Sequence, residues 1–226
     1  MRWLAQLFTS SLGRKYVMAI TGLFLCCFLV VHLSANLLTL IPDEGKTFNA
    51  FAHFMTHNWL IRLLEIILFA GFLIHIVQSI VLVVQNRKAR PVRYAMQAAH
   101  PQVSWSSLNM GLLGSLILVF LVVHIGDFFV DSRFRPEKLG VDDQGYVNLY
   151  GEVVRAFSSL PYVVFYVLAM FALGFHLWHG FQSAFRSLGL MHLRYTPGII
   201  WLGKVYTLII CGGFILIPVY WYFKQL

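Results

Sequence analysis

Five histidines lie within long apolar stretches of this chain: His32, His75, His124, His176 and His179. Their side chains are ionisable, and ionisable groups at the depth of a lipid bilayer are costly and usually mark function. An imidazole can bind a metal, including haem iron, or can exchange protons near neutral pH. A membrane histidine can also serve simply as a hydrogen-bond partner between helices, and that simpler role is the alternative for each of the five.

Position along the chain places four of these histidines in two layers. With a rise of about 1.5 Å per residue, His32 and His124 lie roughly 22–26 Å from the ends of their helices on the N-terminal side of the membrane, and His75 and His176 lie roughly 15–17 Å from theirs. Each layer takes one histidine from each of two helices, which is the arrangement needed to clamp two haem irons one above the other inside a bundle. We therefore expect two haem b groups, held by an outer pair (His32 and His124) and an inner pair (His75 and His176).

Small residues flank the inner histidines at four-residue spacing, in two sets: Gly71, His75 and Ser79, and Ala172, His176 and Gly180. The pattern leaves space for a flat macrocycle, although close helix packing uses the same small residues without a cofactor. The outer histidines have larger neighbours at these positions: Phe28 and Asn36, and Phe120 and Phe128. His179 lies between Phe175 and Ser183 at the same spacing, so it ranks second to His176 as the ligand on the fourth helix.

Five apolar runs must position these histidines: residues about 16–41, 60–86, 108–130, 161–185 and 199–223. Each run reaches the roughly 20 residues that a membrane-spanning helix requires. The composition agrees, since 59% of the residues are hydrophobic and only 12% are charged. The sequence therefore predicts an all-α membrane protein with five transmembrane helices, in which the first four form a bundle enclosing the two haems and residues 1–226 form one domain. The first run is too long for a signal peptide and is expected to be retained, and Pro161 and Pro197 are expected at helix starts.

Charged residues are distributed unequally between the two ends of the predicted helices. One end carries basic residues and no acidic residue: Arg2, Arg14, Lys15, Arg87, Lys88, Arg90, Arg93, Arg186, Arg194 and Lys204. All nine acidic residues lie in the opposite loops or in the helix portions that lead to them. By the positive-inside rule, the N-terminus is expected in the cytoplasm and the C-terminus outside. This topology signal accounts for the basic residues, so nucleic-acid binding is not expected.

Several segments resemble one family, the di-haem cytochrome b subunits of succinate dehydrogenases and fumarate reductases that carry both haems on one five-helix chain. The similar segments are SSLGRKYVMAITGLFLCCFLVVHLSANL around His32, FNAFAHFM after the first helix, RLLEIILFAGFLIHIVQS around His75, VVHIGDFF around His124 and FHLWHGFQSAFRSLG around His176. The resemblance covers nearly the whole chain, and its most specific feature is the histidine four residues before a glycine in the last segment. In this family such positions supply the four axial ligands, so the resemblance implies the same two pairs.

The resemblance implies the membrane-anchor subunit of a succinate:quinone or quinol:fumarate oxidoreductase, in the bacterial cytoplasmic (inner) membrane. It implies two partners on the cytoplasmic face, an FAD-containing dicarboxylate subunit and an iron–sulfur subunit, and menaquinone or ubiquinone as the substrate within the lipid. This chain would be the quinone-reactive, electron-transferring part of the enzyme, with no dicarboxylate site of its own. The basic loops, including NRKARPVR, fit docking of these subunits or binding of haem propionates, and the positive-inside rule alone accounts for most of their charges.

Three other functions are alternatives at this point. The cytochrome b subunit of a hydrogenase or a formate dehydrogenase would use the same chemistry, but it does not share the motifs quoted above. A non-haem membrane transporter would show polar residues at all depths or internal hydropathy symmetry, whereas the polar side chains here cluster at two levels. An anchor without haem would leave the layered histidines unexplained.

Quinone chemistry near the outer face needs a group that exchanges protons near neutral pH. The candidates are His53, Glu65 and Asp127, all on the outer side of the predicted topology. Glu65 lies about four residues into a span, where a carboxylate needs a partner, and Arg62 could pair with it in a salt bridge that has no catalytic role. In part of the family an acidic residue after the first helix handles the quinol protons, and that stretch here offers no unambiguous match among Asp43, Glu44 and His53.

Overall fold

A computed structural model describes residues 8–88 and 105–226, and these residues are almost entirely helical. Within these two ranges we label the longer helices in chain order: α1 (Ser11–Leu37), α2 (Lys46–His57), α3 (Trp59–Lys88), α4 (Met110–Phe134), α5 (Leu149–Ala156), α6 (Leu160–Ser187) and α7 (Thr196–Lys224). The described residues form no β-strand, and their only β-type pairing is an isolated bridge between Val141 and Val147. The prediction of an all-α protein is confirmed.

Five of these helices, α1, α3, α4, α6 and α7, are long and apolar enough to cross a membrane. Their number agrees with the five apolar runs of the sequence. The largest difference in bounds is at the start of α1, which begins at Ser11 because the Ser10 side chain caps it by accepting a hydrogen bond from the Gly13 N–H (3.0 Å). Pro161 and Pro197 lie in the first turns of α6 and α7, where the absence of an N–H group costs little.

The helix α6 packs against three of the other spans, α1, α4 and α7. The helix α1 also packs against α3, whereas α3 and α4 touch each other only slightly. The order around the bundle is therefore α1, α3, α4, α6, with α7 outside it against α6 and α1. In this order α1 lies diagonally opposite α4, and α3 lies diagonally opposite α6.

Glycines allow the close packing of α7 onto the bundle. A Cβ atom at Gly203 would lie 2.8 Å from the ring of Phe181 on α6, and one at Gly213 would lie 2.7 Å from the side chain of Leu33 on α1. Buried side chains from α1, α5, α6 and α7 share one apolar cluster, which includes Leu33, Val153, Tyr166, Leu177, Ile210 and Trp221. The side of the bundle formed by α6, α7 and α1 is therefore the densely packed one.

One end of the bundle is covered by α2, α5 and the turn at 139–148, and we call it the cap end. Asn49 of α2 joins these pieces: its side chain is buried, donates to Asp142 (3.0 Å) and Asn148 (3.2 Å), and accepts from the backbone N–H of Tyr150 (2.9 Å). The turn before α2 requires Gly45, because its φ is +85° and a Cβ atom there would overlap Tyr150. The connection from about 131 to 160, between α4 and α6, is thus an ordered part of the cap.

The opposite end carries the basic residues singled out in the sequence. Arg14, Lys15, Arg87, Lys88, Arg186, Arg194 and Lys204 belong to its described part. Arg2, Arg90 and Arg93, and with them most of the NRKARPVR stretch, lie outside the described residues. Lys204 lies over the Trp178 ring, with its Nζ atom 5.4 Å from the ring centroid, which is a favourable cation–π distance.

Candidate functional site

The four layered histidines meet in two pairs across the diagonals of the bundle. The rings of His32 on α1 and His124 on α4 have centroids 5.6 Å apart and planes at 85°. The rings of His75 on α3 and His176 on α6 have centroids 6.4 Å apart and planes at 67°. The backbones of these opposite helices do not pack closely among the described residues, so the histidine side chains bridge the interior between them.

These separations fit one metal ion between each pair. A bond from a metal to an imidazole nitrogen is about 2 Å long, and the nitrogen lies about 1 Å from its ring centroid. Two imidazoles on opposite sides of one metal therefore have centroids about 6 Å apart, close to both separations. Two imidazoles are also the donor set for a metal whose remaining ligands come from a macrocycle, as in haem.

In the inner pair, the proton on His75 is fixed by Thr21 of α1. The Thr21 Oγ1 atom lies 3.0 Å from His75 Nδ1 and 2.7 Å from the carbonyl oxygen of Val17. With the single Thr21 proton assigned to the shorter contact, the one to the Val17 carbonyl, the hydroxyl oxygen is left to accept from His75 Nδ1–H. The Nε2 atom of His75 then keeps its lone pair free for a metal.

The second member of the inner pair, His176, has an unsatisfied polar atom. Its Nδ1 atom is buried and has no hydrogen-bond partner among the described residues. A buried polar nitrogen without a partner is costly. His176 faces His75, whereas no ring contact joins His179 to another histidine in the described part of the chain. The geometry therefore favours His176 over His179 as the partner of His75.

In the outer pair, aromatic side chains fix both rings. Phe28 stacks on His32 with centroids 5.1 Å apart, and Phe120 stacks on His124 with centroids 5.4 Å apart, each at 19° between planes. His124 Nδ1 lies 3.2 Å from the hydroxyl oxygen of Tyr166 on α6. The phenylalanines that replace small residues in this layer thus orient the imidazoles.

The glycines of the small-residue pattern have different surroundings. A Cβ atom at Gly71 would lie 3.0 Å from the ring of Phe24, so the space at this glycine is taken by a side chain of α1. A Cβ atom at Gly180 would meet nothing within 4 Å. Gly22 of α1 lies against His75: a Cβ atom at Gly22 would be 3.5 Å from Cε1 of the imidazole. Of the two glycines in the pattern, Gly180 has open space beside it and Gly71 does not.

The three acid–base candidates have separate surroundings at the cap end. Glu65 pairs with Arg62 through both carboxylate oxygens, each 3.2 Å from one guanidinium nitrogen. His53 stacks between His57 (centroids 3.8 Å apart) and Tyr146 (4.3 Å). Asp127 accepts a hydrogen bond from the Tyr162 hydroxyl at 2.7 Å. No hydrogen bond, ion pair or ring contact among the described residues joins two of the three candidates.

Asp127 lies in an irregular stretch of α4. Residues Ile125–Val130 form a π turn immediately after His124, and such turns in helices often occur at functional sites. Asp127 lines a cleft of about 230 Å³ with Glu152, Arg155, Ala156, Ser159 and Tyr162. Among the three candidates, Asp127 is the one that lines this cleft. The cleft and the outer histidine pair therefore share α4, which carries both Asp127 and His124.

Charges in the cleft are partly paired. Glu152 is buried and forms an ion pair with Arg155, whose Nε donates to Glu152 at 2.9 Å. The pKa of Arg155 is raised above its ordinary value, first by its hydrogen bond to Glu152 and then by the charge of that carboxylate, with a smaller contribution from the charge of Asp127. Because Glu152 and Arg155 pair with each other, Asp127 is the carboxylate of the cleft that has no cation paired with it in a salt bridge.

Thr21, Tyr162 and Tyr166 were not identified from the sequence as site residues. Thr21 lies inside an apolar span, where threonine hydroxyls commonly bond a carbonyl of their own helix, as Thr21 does with Val17, and Tyr162 and Tyr166 lie near the start of another span. The one available signal was spacing, because Tyr162 and Tyr166 share a face of α6 at four-residue separation. That face could be related to His124 only through the packing of α4 against α6.

Comparison of the chain with protein-family models, with curated proteins and with solved structures found no match.

Proposed function

We propose that this chain is the di-haem cytochrome b anchor of a succinate:quinone or quinol:fumarate oxidoreductase, passing electrons between a membrane quinone and the iron–sulfur and flavoprotein subunits. One observation carries the proposal: four histidines from four helices meet in two pairs across both diagonals of one bundle, with centroids 5.6 and 6.4 Å apart. Haem iron held by two imidazoles changes between its ferrous and ferric forms and so supplies one-electron transfer. The sequence segments around the same histidines support the succinate- and fumarate-linked family.

The residues of this chain would hold the two haems in a fixed orientation. His75 and His176 would be the inner axial ligands, and His32 and His124 the outer ones. The hydroxyl oxygens of Thr21 and Tyr166 lie 3.0 and 3.2 Å from Nδ1 of His75 and His124, and as acceptors they would leave the Nε2 lone pairs of both imidazoles free for the iron. The surrounding helices are apolar and exclude water from both layers.

Quinone chemistry is proposed at the cleft that Asp127 lines. A quinone and its quinol differ by two protons as well as two electrons, and Asp127 is an open-facing carboxylate beside the outer histidine layer. Tyr162 donates to it and holds it at the wall of the cleft. Glu65 forms an ion pair with Arg62 near the start of α3, and this structural role accounts for the carboxylate without a part in quinone chemistry.

The orientation and the partners follow from the distribution of charge. The basic end, opposite the cap, would face the cytoplasm by the positive-inside rule. The iron–sulfur and FAD-containing subunits would dock there, next to the inner histidine pair. The cap end, with the Asp127 cleft, would face the outer side of a bacterial cytoplasmic membrane.

The test is a visible spectrum of the purified complex, combined with alanine variants of the histidines. We expect reduced b-type bands and about two haems per chain. His75→Ala or His176→Ala should remove one haem, and His32→Ala or His124→Ala should remove the other, because each haem would depend on both histidines of its own pair. His179→Ala is the matched control on α6 and should keep both haems.

A colourless wild-type protein would reject the proposal. Retention of both haems in His176→Ala, with loss of one in His179→Ala, would move the inner ligand to His179. Reduction of quinone by succinate in the intact complex distinguishes this family from a hydrogenase or formate dehydrogenase subunit, which would not respond to succinate.

A further inference from the structure

A chain of hydrogen bonds joins the cleft to the outer histidine pair. Tyr162 Oη donates to Asp127 Oδ2 at 2.7 Å, Tyr162 Oη and Tyr166 Oη lie 3.1 Å apart, and Tyr166 Oη lies 3.2 Å from His124 Nδ1. Tyr162 and Tyr166 are one turn apart on α6, whereas Asp127 and His124 lie on α4. The chain therefore runs from one helix to the other and back.

The carboxylate at one end sets the direction of every bond in this chain. An ionised carboxylate only accepts, so the single proton of Tyr162 is directed to Asp127. The Tyr162 oxygen then accepts from Tyr166, and the Tyr166 oxygen accepts from His124 Nδ1–H. Each hydroxyl is used once as donor and once as acceptor, so all members of the chain are satisfied.

The surroundings favour transmission of charge along this chain. Tyr166 is buried, with 6% of its surface exposed, and packs against Phe120, Phe128 and Phe157. Hydrogen bonds in such an apolar environment are stronger than in water and polarise one another. The other charged groups of the cleft, Glu152 and Arg155, pair with each other, which leaves Asp127 as the charge at the head of the chain.

We propose that Tyr162 and Tyr166 are positioning residues for His124, which fix its tautomer and transmit the negative charge of Asp127 to its imidazole. This inference rests on the proposed function, because it concerns a histidine that holds the outer haem. A partner that draws on the Nδ1 proton makes an imidazole a more basic ligand. A more basic ligand favours ferric over ferrous iron, so the chain lowers the potential of the outer haem.

The experiment is a spectroelectrochemical redox titration of the purified complex. The outer haem is identified as the component that His124→Ala lacks. Tyr166→Phe removes one hydroxyl with little change in shape, and it should raise the potential of the outer haem, changing its reduction equilibrium about tenfold and leaving the inner haem unchanged. Tyr206→Phe is the matched control, since the Tyr206 hydroxyl donates to the carbonyl of Cys26 and not to a histidine.

A double-variant cycle separates transmission through the chain from a through-space effect. Asp127→Asn should raise the outer potential in the wild-type background and should have little further effect in the Tyr162→Phe background, because the chain is already broken there. Tyr162 bonds Asp127 and Tyr166 and neither histidine of the pair, so Tyr162→Phe should keep the outer haem. The comparison in the Tyr162→Phe background can therefore be made even if Tyr166→Phe loses that haem. Equal shifts from Asp127→Asn in both backgrounds, or an unchanged potential in Tyr166→Phe, would overturn the inference. Absence of haem from the wild-type protein would instead reject the proposed function.

Discussion

The acid–base candidates at the cap end differ in their partners, and the partners separate their roles. Glu65 has a cation of its own in Arg62, and His53 is held in a stack of rings. Asp127 has a neutral donor, Tyr162, and lines a cleft. A carboxylate without a cation of its own is the group best able to take up and release a proton during turnover.

Asp127→Asn should therefore lower quinone turnover about 100-fold, the typical contribution of one positioned acid–base group. Both haems should remain, because Asn keeps the size of the side chain and Asp127 is not a ligand. Glu65→Gln is the matched carboxyl-to-amide control, and it should stay within about threefold of wild type, since Glu65 is partnered by Arg62 and is not part of the cleft that Asp127 lines. The measurement is quinone reduction by succinate, together with haem content; normal turnover in Asp127→Asn with loss in Glu65→Gln would place the proton exchange at Glu65.

The histidines could be paired from sequence because depth along a span follows directly from residue number. Their hydrogen-bond partners could not be found in this way. Thr21 is 54 residues from His75, and Tyr166 is 42 residues from His124, so each contact depends on how two helices pack. Hydroxyl residues are common in membrane spans, and a lone threonine or tyrosine has no distinguishing pattern.

Among the helices, α2 and α5 have no membrane span and serve to close the cap end. Asn49 makes their contact specific, since it is 1% exposed and bonds to three residues of the 139–151 segment. Asp142 organises the same turn: its carboxylate accepts from the N–H groups of Gln144 and Tyr146, both at 2.9 Å. Although partial burial of Asp142 acts to raise its pKa, these bonds and the one from Asn49 lower it overall.

Asn49→Ala should lower the free energy of local unfolding of the cap by about 1–3 kcal/mol, the cost of leaving buried polar partners unsatisfied. The measurement is amide hydrogen exchange. Exchange should become faster in residues 139–156 and in α2, and it should stay unchanged in the spanning helices. Gln144→Ala is the control, since the Gln144 side chain is exposed and makes one bond, to the carbonyl of Lys46 (3.3 Å). Equal exchange rates in Asn49→Ala and wild type would show that the cap is held by other contacts.

The five spans were predictable because about 20 apolar residues have few alternatives to a transmembrane helix. The cap helices were not, since α2 has only 12 residues and α5 has 8, and their patterns are too short to distinguish from a loop. The π turn at Ile125–Val130 was not predicted from the sequence either. It extends α4 to Phe134, beyond the predicted end near 130.

At the scale of the whole molecule, the two ends differ in charge, and this difference predicts the orientation. Cysteine labelling in intact cells tests it, with Cys26, Cys27 and Cys211 first replaced by alanine. Gln144→Cys at the cap end should react with a membrane-impermeant maleimide in intact cells. Leu193 at the basic end is 96% exposed. A cysteine placed there by Leu193→Cys should react only after the cells are permeabilised. The reverse pattern would invert the topology and place the Asp127 cleft in the cytoplasm.

The diagonal pairing of the histidines has a consequence for biosynthesis. A membrane protein is inserted from its N-terminus, so α1, α3 and α4 enter the bilayer before α6. The outer pair is complete once α4 has been made, because it needs only His32 and His124. The inner pair must wait for α6 and His176. Since α6 also supplies Tyr166 to the outer pair and packs against α1, α4 and α7, its arrival is the step at which a set of separately inserted helices becomes one assembled protein.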